Sequence, residues 1–189
     1  LFDRSVASHN TVQVDSQDQA EFIGSFRTGW RYRARCETVR SDDGSFELIG
    51  SHDAYQCGSQ RITHRRRFFA TSDRFTIEDR LILCDRHGNE KTEPSIASAA
   101  SSDRSAAVFG QVARARFLFH DACRLEQVSD SSIRIRVGSS SIVMQASTVI
   151  RIIPAEWSPD FGVRVATHLV EATFASVPGS ASFQFALEA

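Results

Sequence analysis

The side chains best suited to move protons or hold a metal are six histidines, His9, His52, His64, His87, His120 and His168, and two tyrosines, Tyr32 and Tyr55. The histidines stand singly. No H-E-x-x-H or H-x-H arrangement puts two imidazoles within reach of one ion, so local spacing defines no closed metal site. There is no G-x-S-x-G elbow, P-loop or G-x-G-x-x-G, which sets aside the common hydrolase and nucleotide-binding chemistries. Cys36, Cys57, Cys84 and Cys123 lie far apart without a C-x-x-C pair, which argues against a zinc ribbon or redox motif and for buried free thiols. Their even number would still allow disulfides in an exported protein, so the redox compartment stays open.

The run Thr63-His64-Arg65-Arg66-Arg67, followed by Phe68-Phe69, has the composition of a polyanion-binding strand with aromatic stacking. Strand alternation instead puts His64 and Arg66 on the face opposite Arg65 and Arg67, and a solvated strand entering the core through its two Phe residues is the simpler reading. With 22 basic and 23 acidic residues the net charge is −1, so the chain as a whole generates no field to draw nucleic acid or anionic lipid. If the basic face binds anything, acidic polysaccharide suits it better than nucleic acid.

These residues must be positioned by strands. Ile133, Ile135 and Val137 alternate with Arg134 and Arg136; Phe183, Phe185 and Leu187 repeat the pattern; Trp30, Tyr32, Ala34 and Cys36 alternate with Arg31, Arg33, Arg35 and Glu37. Each reads as a half-buried strand. Turn chemistry at 41–44, 71–73 and 129–132 implies three hairpins, pairing 28–39 with 45–50, 62–70 with 74–84 and 123–128 with 133–137. Asp85 to Arg104 is rich in Ser, Ala and charge and reads as a long loop, and residues 155–162 form a second irregular stretch. The expected fold is all-β, an antiparallel two-sheet β-sandwich of meander-like order, forming one domain over residues 1–189. No apolar run approaches the roughly 20 residues that span a bilayer, so no membrane role is expected. The start, Leu1-Phe2-Asp3-Arg4, has no initiator Met and no signal-peptide pattern, and reads as a cut.

Arg4-Ser5-Val6-Ala7-Ser8-His9-Asn10-Thr11-Val12-Gln13-Val14-Asp15, continued by Gln17-Asp18-Gln19-Ala20-Glu21-Phe22, resembles the R-S-T-x-A-H-N-T-V-x-V-D-G-Q-D-Q segment of heparinase II/III-like proteins, a family of bacterial polysaccharide lyases. Ser51-His52-Asp53-Ala54-Tyr55, His64-Arg65-Arg66-Arg67 and Trp157-Ser158-Pro159-Asp160-Phe161-Gly162 are similar in kind and order to later parts of that family's sequence, so the resemblance spans nearly the whole chain. The chain departs from the pattern at Val6, Ser8 and Ser16. Only Ser16 bears on the backbone, because the glycine it replaces can adopt a positive φ at little cost.

The resemblance implies that the chain is the C-terminal β-region of a larger protein whose N-terminal helical toroid is its partner. It also implies cleavage of uronate-containing polysaccharide by β-elimination, in a periplasmic or secreted setting. The family's catalytic Tyr and His come from the toroid and from an upstream H-x-H segment, so no catalytic residue is expected here, and Tyr32 and Tyr55 read as core or rim residues. His9 matches the position of the last ligand of a zinc site in several members, whose other ligands would lie upstream. From spacing alone it reads instead as a strand-start histidine satisfied by a backbone hydrogen bond. Arg4 and Asn10 flank it, to face substrate carboxylates or to cap a strand. The alternative reading is a non-catalytic carbohydrate-binding or structural β-sandwich; an unrelated adhesion-like sandwich would instead pair its cysteines.

Overall fold

Alternating apolar and polar residues give a strand one dry and one wet face, and two such sheets can bury their dry faces against each other. The computed structural model, which describes residues 2–24, 26–57, 60–85, 88–90 and 111–188 without the side chains of Phe2 and Cys57, realises this arrangement. Apart from single 3-10 turns at Phe2–Arg4 and Val6–Ser8, its regular structure is antiparallel strand.

The larger sheet has eight strands, in spatial order β4 (Ala34–Asp42), β5 (Ser45–Cys57), β6 (Gln60–Thr71), β7 (Arg74–Cys84), β14 (Gly179–Leu187), β11 (Ser140–Ala146), β10 (Ser132–Val137) and β9 (Arg124–Ser129). The smaller has four, β1 (Val12–Val14), β8 (Ala113–Leu118), β13 (Val165–Thr173) and β12 (Ile150–Trp157), and β2 (Phe22–Ile23) pairs with β3 (Arg27–Thr28) as a short ribbon. This is a β-sandwich. Its core is built from Ile62, Leu81, Met144 and Phe183 on one sheet and Val12, Val14, Ala115 and Val170 on the other. Phe117 and Phe183 meet edge to face across the two sheets at 4.7 Å.

All three expected hairpins form, β4–β5, β6–β7 and β9–β10. The meander does not run on unbroken: the last strand, β14, inserts between β7 and β11, which makes the chain's C-terminal end central to the sheet. The alternation at Trp30–Cys36 does not give a half-buried strand. Residues 29–33 lie outside regular strand, and β4 is exposed along nearly its whole length because four strands cannot cover eight and β4 is an uncovered edge. Strand β12 runs through Trp157, so the second irregular stretch starts later than expected, at Ser158. Most of the expected Asp85–Arg104 loop, with His87, lies outside the described residues. Of the described cysteines Cys84 is buried, Cys123 half-buried and Cys36 exposed, all three as free thiols; only Cys84 matches the expected burial.

After β1 the chain turns sharply at Asp15 and Ser16, whose φ values of 48° and 60° both lie in the left-handed region. Gln17 N–H donates to Val14 O at 2.8 Å to close the turn, and Asp15 exchanges two bonds with Val112, its N–H to Val112 O at 2.9 Å and its Oδ1 from Val112 N–H at 2.8 Å. Position 16, where the resembling sequences carry Gly, is therefore one where a side chain crowds its own backbone. Ser16→Gly is expected to raise the unfolding free energy by up to about 1 kcal/mol, relief of that crowding outweighing the added unfolded-state entropy, and Ser16→Val to lower it. Urea denaturation checks both; a destabilised Ser16→Gly protein would refute the strain argument.

Candidate functional site

Strand β6 carries the centre of the site. Its inward residues are Ile62, His64 and Arg66, the last two only 3% and 9% exposed, so the expectation that this run is solvated is overturned. The reason is the β6–β7 register, which sets Arg66 opposite Asp79, itself 1% exposed. Arg66 grips the carboxylate with both arms, Nε to Oδ1 at 2.6 Å and Nη2 to Oδ2 at 2.8 Å, while His64 Nε2–H donates to Oδ1 at 2.7 Å. Burial alone would raise the pKa of Asp79, but the hydrogen bonds from Arg66 and His64 prevail and hold it below the usual carboxylate value. A charged pair thus sits inside the sandwich, with the Arg66 guanidinium packed over Phe68 and Phe117 at 5.9 and 5.7 Å.

The β5–β6 register is opposite at His52↔His64 and then slips before Tyr55↔Ile62, leaving Asp53 and Ala54 as a bulge. The slip lets His52 and Tyr55, three residues apart, face the same cluster, with ring centroids 5.7 Å apart. Ala54 N–H donates to His52 Nδ1 at 3.3 Å, and His52 Nε2 lies 3.1 Å from both His64 Nδ1 and Gln19 Nε2. Burial, followed by the proximity of His64, lowers the pKa of His52 to about 3, so it is neutral across the physiological range. Burial raises the Tyr55 hydroxyl above its ordinary value.

From this cluster bonds lead to the N-terminal segment. Arg66 Nη1 donates to Asn10 O at 2.7 Å, Tyr55 Oη–H donates to Val12 O, and Gln19 Nε2 bonds Thr11 Oγ1 at 2.9 Å and Tyr55 Oη at 3.3 Å. The chain just after His9 is therefore held by buried polar groups from β5 and β6.

His9 itself is exposed and borders a cavity of about 560 Å³ together with Asp3, Asn10, His120, Glu156 and Trp157. The His120 and Trp157 rings lie 4.6 Å apart at 50°, and Ser158 Oγ donates to Asp3 Oδ1 at 2.9 Å, joining the N-terminal segment to the end of β12 at this wall. The Asn10 side chain is spent on structure, its Oδ1 accepting from Leu118 N–H at 2.6 Å. Arg4 is not brought to this cavity: its guanidinium lies 4.5 Å over the Phe22 ring and reaches Gly24 O at 3.4 Å. Among the described residues no three His, Cys, Asp or Glu side chains converge to hold a metal ion. Residue spacing did not single out Asp79, Gln19, His120 or Glu156. The pairing of Arg66 with Asp79 does follow from the Thr71–Asp73 turn once strand register is counted outward from it.

Asp79→Asn leaves Arg66 buried without its counter-charge and is expected to cost about 3–5 kcal/mol, with the paired replacement Arg66→Met/Asp79→Leu recovering part of that loss. Equilibrium denaturation reads both, and a double variant no more stable than Asp79→Asn would argue against an ion pair as the cause. Stability should also fall with acid. The unfolded chain protonates His52 as pH drops through about 6.5, whereas the folded imidazole stays neutral to about 3. Protons then favour the unfolded state across that window, with a slope approaching about 1.4 kcal/mol per pH unit. The depressed Asp79 carboxylate adds a further loss in stronger acid, as pH falls toward its folded value. His52→Gln should flatten the slope between pH 6.5 and 4, and an unchanged slope would exclude His52 as its source.

Residues 1–186 match the family model described as Heparinase II/III-like, C-terminal. No curated protein sequence matches the chain. Among solved structures, a heparinase III with methylated lysines is 12% identical with a TM-score of 0.65, over 99% of this chain and 24% of its own. The heparan sulfate lyase HepC from Pedobacter heparinus is 10% identical with a TM-score of 0.64, over 97% of this chain and 24% of its own. The chain therefore spans about a quarter of the length of those two proteins, and at such identity the likeness is one of fold. The family match, extending over nearly every residue and through all the segments that build the buried cluster and the His9 cavity, places this chain in the heparinase II/III-like family, as its C-terminal region.

Proposed function

We propose that this chain is the cleft-supporting β-region of a lyase that cleaves uronate-containing polysaccharide by β-elimination, working with an upstream helical toroid. The observation that carries this reading is the convergence of the family-like segments. Residues 51–55 and 64–67 form the buried cluster, that cluster pins residues 10–12, and the pinned segment presents His9 beside Trp157. An indole on a cavity wall with carboxylates and imidazoles has the make-up of a sugar-facing surface, an apolar plane with polar groups that fix orientation.

β-Elimination needs a base for the C5 proton, donors for the developing enolate and an acid for the departing O4 oxygen. Tyr55 is fully buried, with its hydroxyl committed to Val12 O, so it holds structure and does not meet substrate. The acid and base are assigned to the upstream region. In this reading His9 supplies one zinc ligand and Asn10 fixes its backbone; Arg4, on the far side of the segment against Phe22, braces it. The described residues do not complete a zinc site by themselves, so the remaining donors come from upstream, and zinc there would fix the junction between the regions.

A protein carrying the upstream region should release unsaturated, ultraviolet-absorbing product from a uronate polysaccharide, and the 189-residue chain should not. In that longer protein His9→Ala should remove zinc, read by elemental analysis after dialysis. Turnover by the chain alone would overturn the division of labour, and undiminished zinc in His9→Ala would make His9 a structural histidine.

A further inference from the structure

Most arginines on the outer face of the large sheet are matched by carboxylates: Arg65 by Glu37, Arg67 by Glu47 and Glu78, and Arg80 by Glu90. Arg33 and Arg35 differ. Among the described residues neither guanidinium has a carboxylate in ion-pair contact, and both are exposed. Both border a concavity of about 310 Å³ at the β4–β6 edge, together with Ser51, Asp53, Arg61 and Thr63. It shares no bordering residue with the His9 cavity.

Register explains how this concavity arises. Arg35 stands opposite Ser51, and Ser51 opposite Arg65, which sets Arg35 on the outer face. One step on, the β5–β6 slip leaves Asp53 without a partner on β6. Asp53 uses that freedom to reach both ways. Its Oδ2 takes Arg61 Nη1 at 2.9 Å, its Oδ1 takes Arg33 N–H at 2.7 Å, and its own N–H donates to Arg33 O at 3.2 Å. Arg33, Arg35 and Arg61 thus border the concavity with Asp53 as its one bordering carboxylate, engaged by the Arg61 guanidinium and the Arg33 backbone. The local balance is positive although the chain as a whole carries −1. His52 also borders the concavity and, neutral down to about pH 3, adds no charge. At the adjoining turn the Asp85 carboxylate is engaged by Asn89, at 2.9 Å from its N–H and 3.1 Å from its side-chain amide.

We propose that this concavity is an oxyanion site that takes a carboxylate or sulfate group carried on an acidic saccharide. The saccharide part rests on the polysaccharide reading above; the charge part rests on the arginines. A guanidinium presents paired N–H donors that match a carboxylate or sulfate edge, and two of them two residues apart on an extended chain can grip one group from adjacent directions. The volume is at the lower end for ligand sites and holds one substituted sugar ring, the rest of the saccharide running over the sheet. The aromatic ring among the bordering residues is the His52 imidazole, packed against Tyr55 and His64, so the concavity lacks the stacking platform of a single-stranded nucleic-acid groove.

The test is calorimetric titration of the chain with a sulfated uronate tetrasaccharide, a neutral tetrasaccharide and inorganic sulfate. The acidic tetrasaccharide should bind and the neutral one should not. The double variant Arg33→Ala/Arg35→Ala should weaken binding roughly tenfold or more, with Arg33→Lys/Arg35→Lys between it and the parent. Arg124→Ala, at an exposed β9 arginine that borders neither cavity, should bind as the parent does, and thermal melting confirms that each variant is folded. Acidic-tetrasaccharide binding that survives Arg33→Ala/Arg35→Ala overturns the proposal while leaving the polysaccharide reading intact. Binding of inorganic sulfate alone, or of no probe, also overturns it. The polysaccharide reading itself fails separately, on absence of lyase turnover in the protein that carries the upstream region.

Discussion

The ionised carboxylate of Asp79, closed inside the sandwich, is the constraint from which the rest of the site follows. Burying such a charge carries a penalty of several kcal/mol unless it is paired and hydrogen-bonded, so its partners have little freedom to move. Arg66 must present two nitrogens to it and His64 one, which fixes the β6–β7 register and the rotamers of both side chains. Once Arg66 is fixed, its third nitrogen is aimed at Asn10 O, and the N-terminal segment is drawn to the large sheet. An apolar pair of similar volume would stabilise the core at least as well, but it would not select one position for residue 10. The ion pair therefore contributes specificity of placement more than stability.

The bonds around it work in the same direction. Tyr55 and Gln19 hold Val12 O and Thr11 Oγ1, and the Asp15–Val112 exchange and left-handed turn arrest the chain four residues later. With residues 10 to 16 held on one side by β5 and β6 and on the other by β8, His9 is the last residue before the fixed stretch. Its backbone position is determined while its side chain remains exposed. A residue meant to meet something outside the chain needs both properties.

How far this was legible in the sequence depended on whether the information was local. Hairpins β4–β5, β6–β7 and β9–β10 follow from turn residues such as Asp43-Gly44, with Gly44 at a φ of 84°, and from alternation on either side. The insertion of β14 between β7 and β11 joins segments some hundred residues apart, and no pattern within Phe183–Leu187 names its neighbours. The alternation at Trp30–Cys36 misled for a related reason: it marks which side chains share a face, not whether a second sheet covers that face. Polar residues on a strand are ordinarily solvated, and nothing local to His64 and Arg66 says otherwise. What reverses that expectation is Asp79, and it is found only by carrying the β6–β7 register thirteen residues back across the turn. His9, by contrast, came from resemblance, since a single exposed histidine has no spacing that distinguishes a ligand from a bystander.

One irregularity connects the two faces of the large sheet. A strand without a slip would put His52 and Tyr55 on opposite sides, and only one of them could join the buried cluster. The Asp53–Ala54 bulge lets both turn inward, toward His64 and Val12 O, and in doing so leaves Asp53 outside with no ladder partner. Asp53 then bonds Arg33 and Arg61 and shapes the basic concavity. The inner network that positions His9 and the outer arrangement of arginines are thus joint consequences of the same one extra residue in β5. A deletion that restored regular pairing in β5 would dismantle both at once. The short run Ser51-His52-Asp53-Ala54-Tyr55 is therefore better understood as a device for setting two faces of a sheet than as a cluster of candidate proton carriers, because Tyr55 is sealed in the core with its hydroxyl on Val12 O and the half-buried His52 is held neutral by its surroundings.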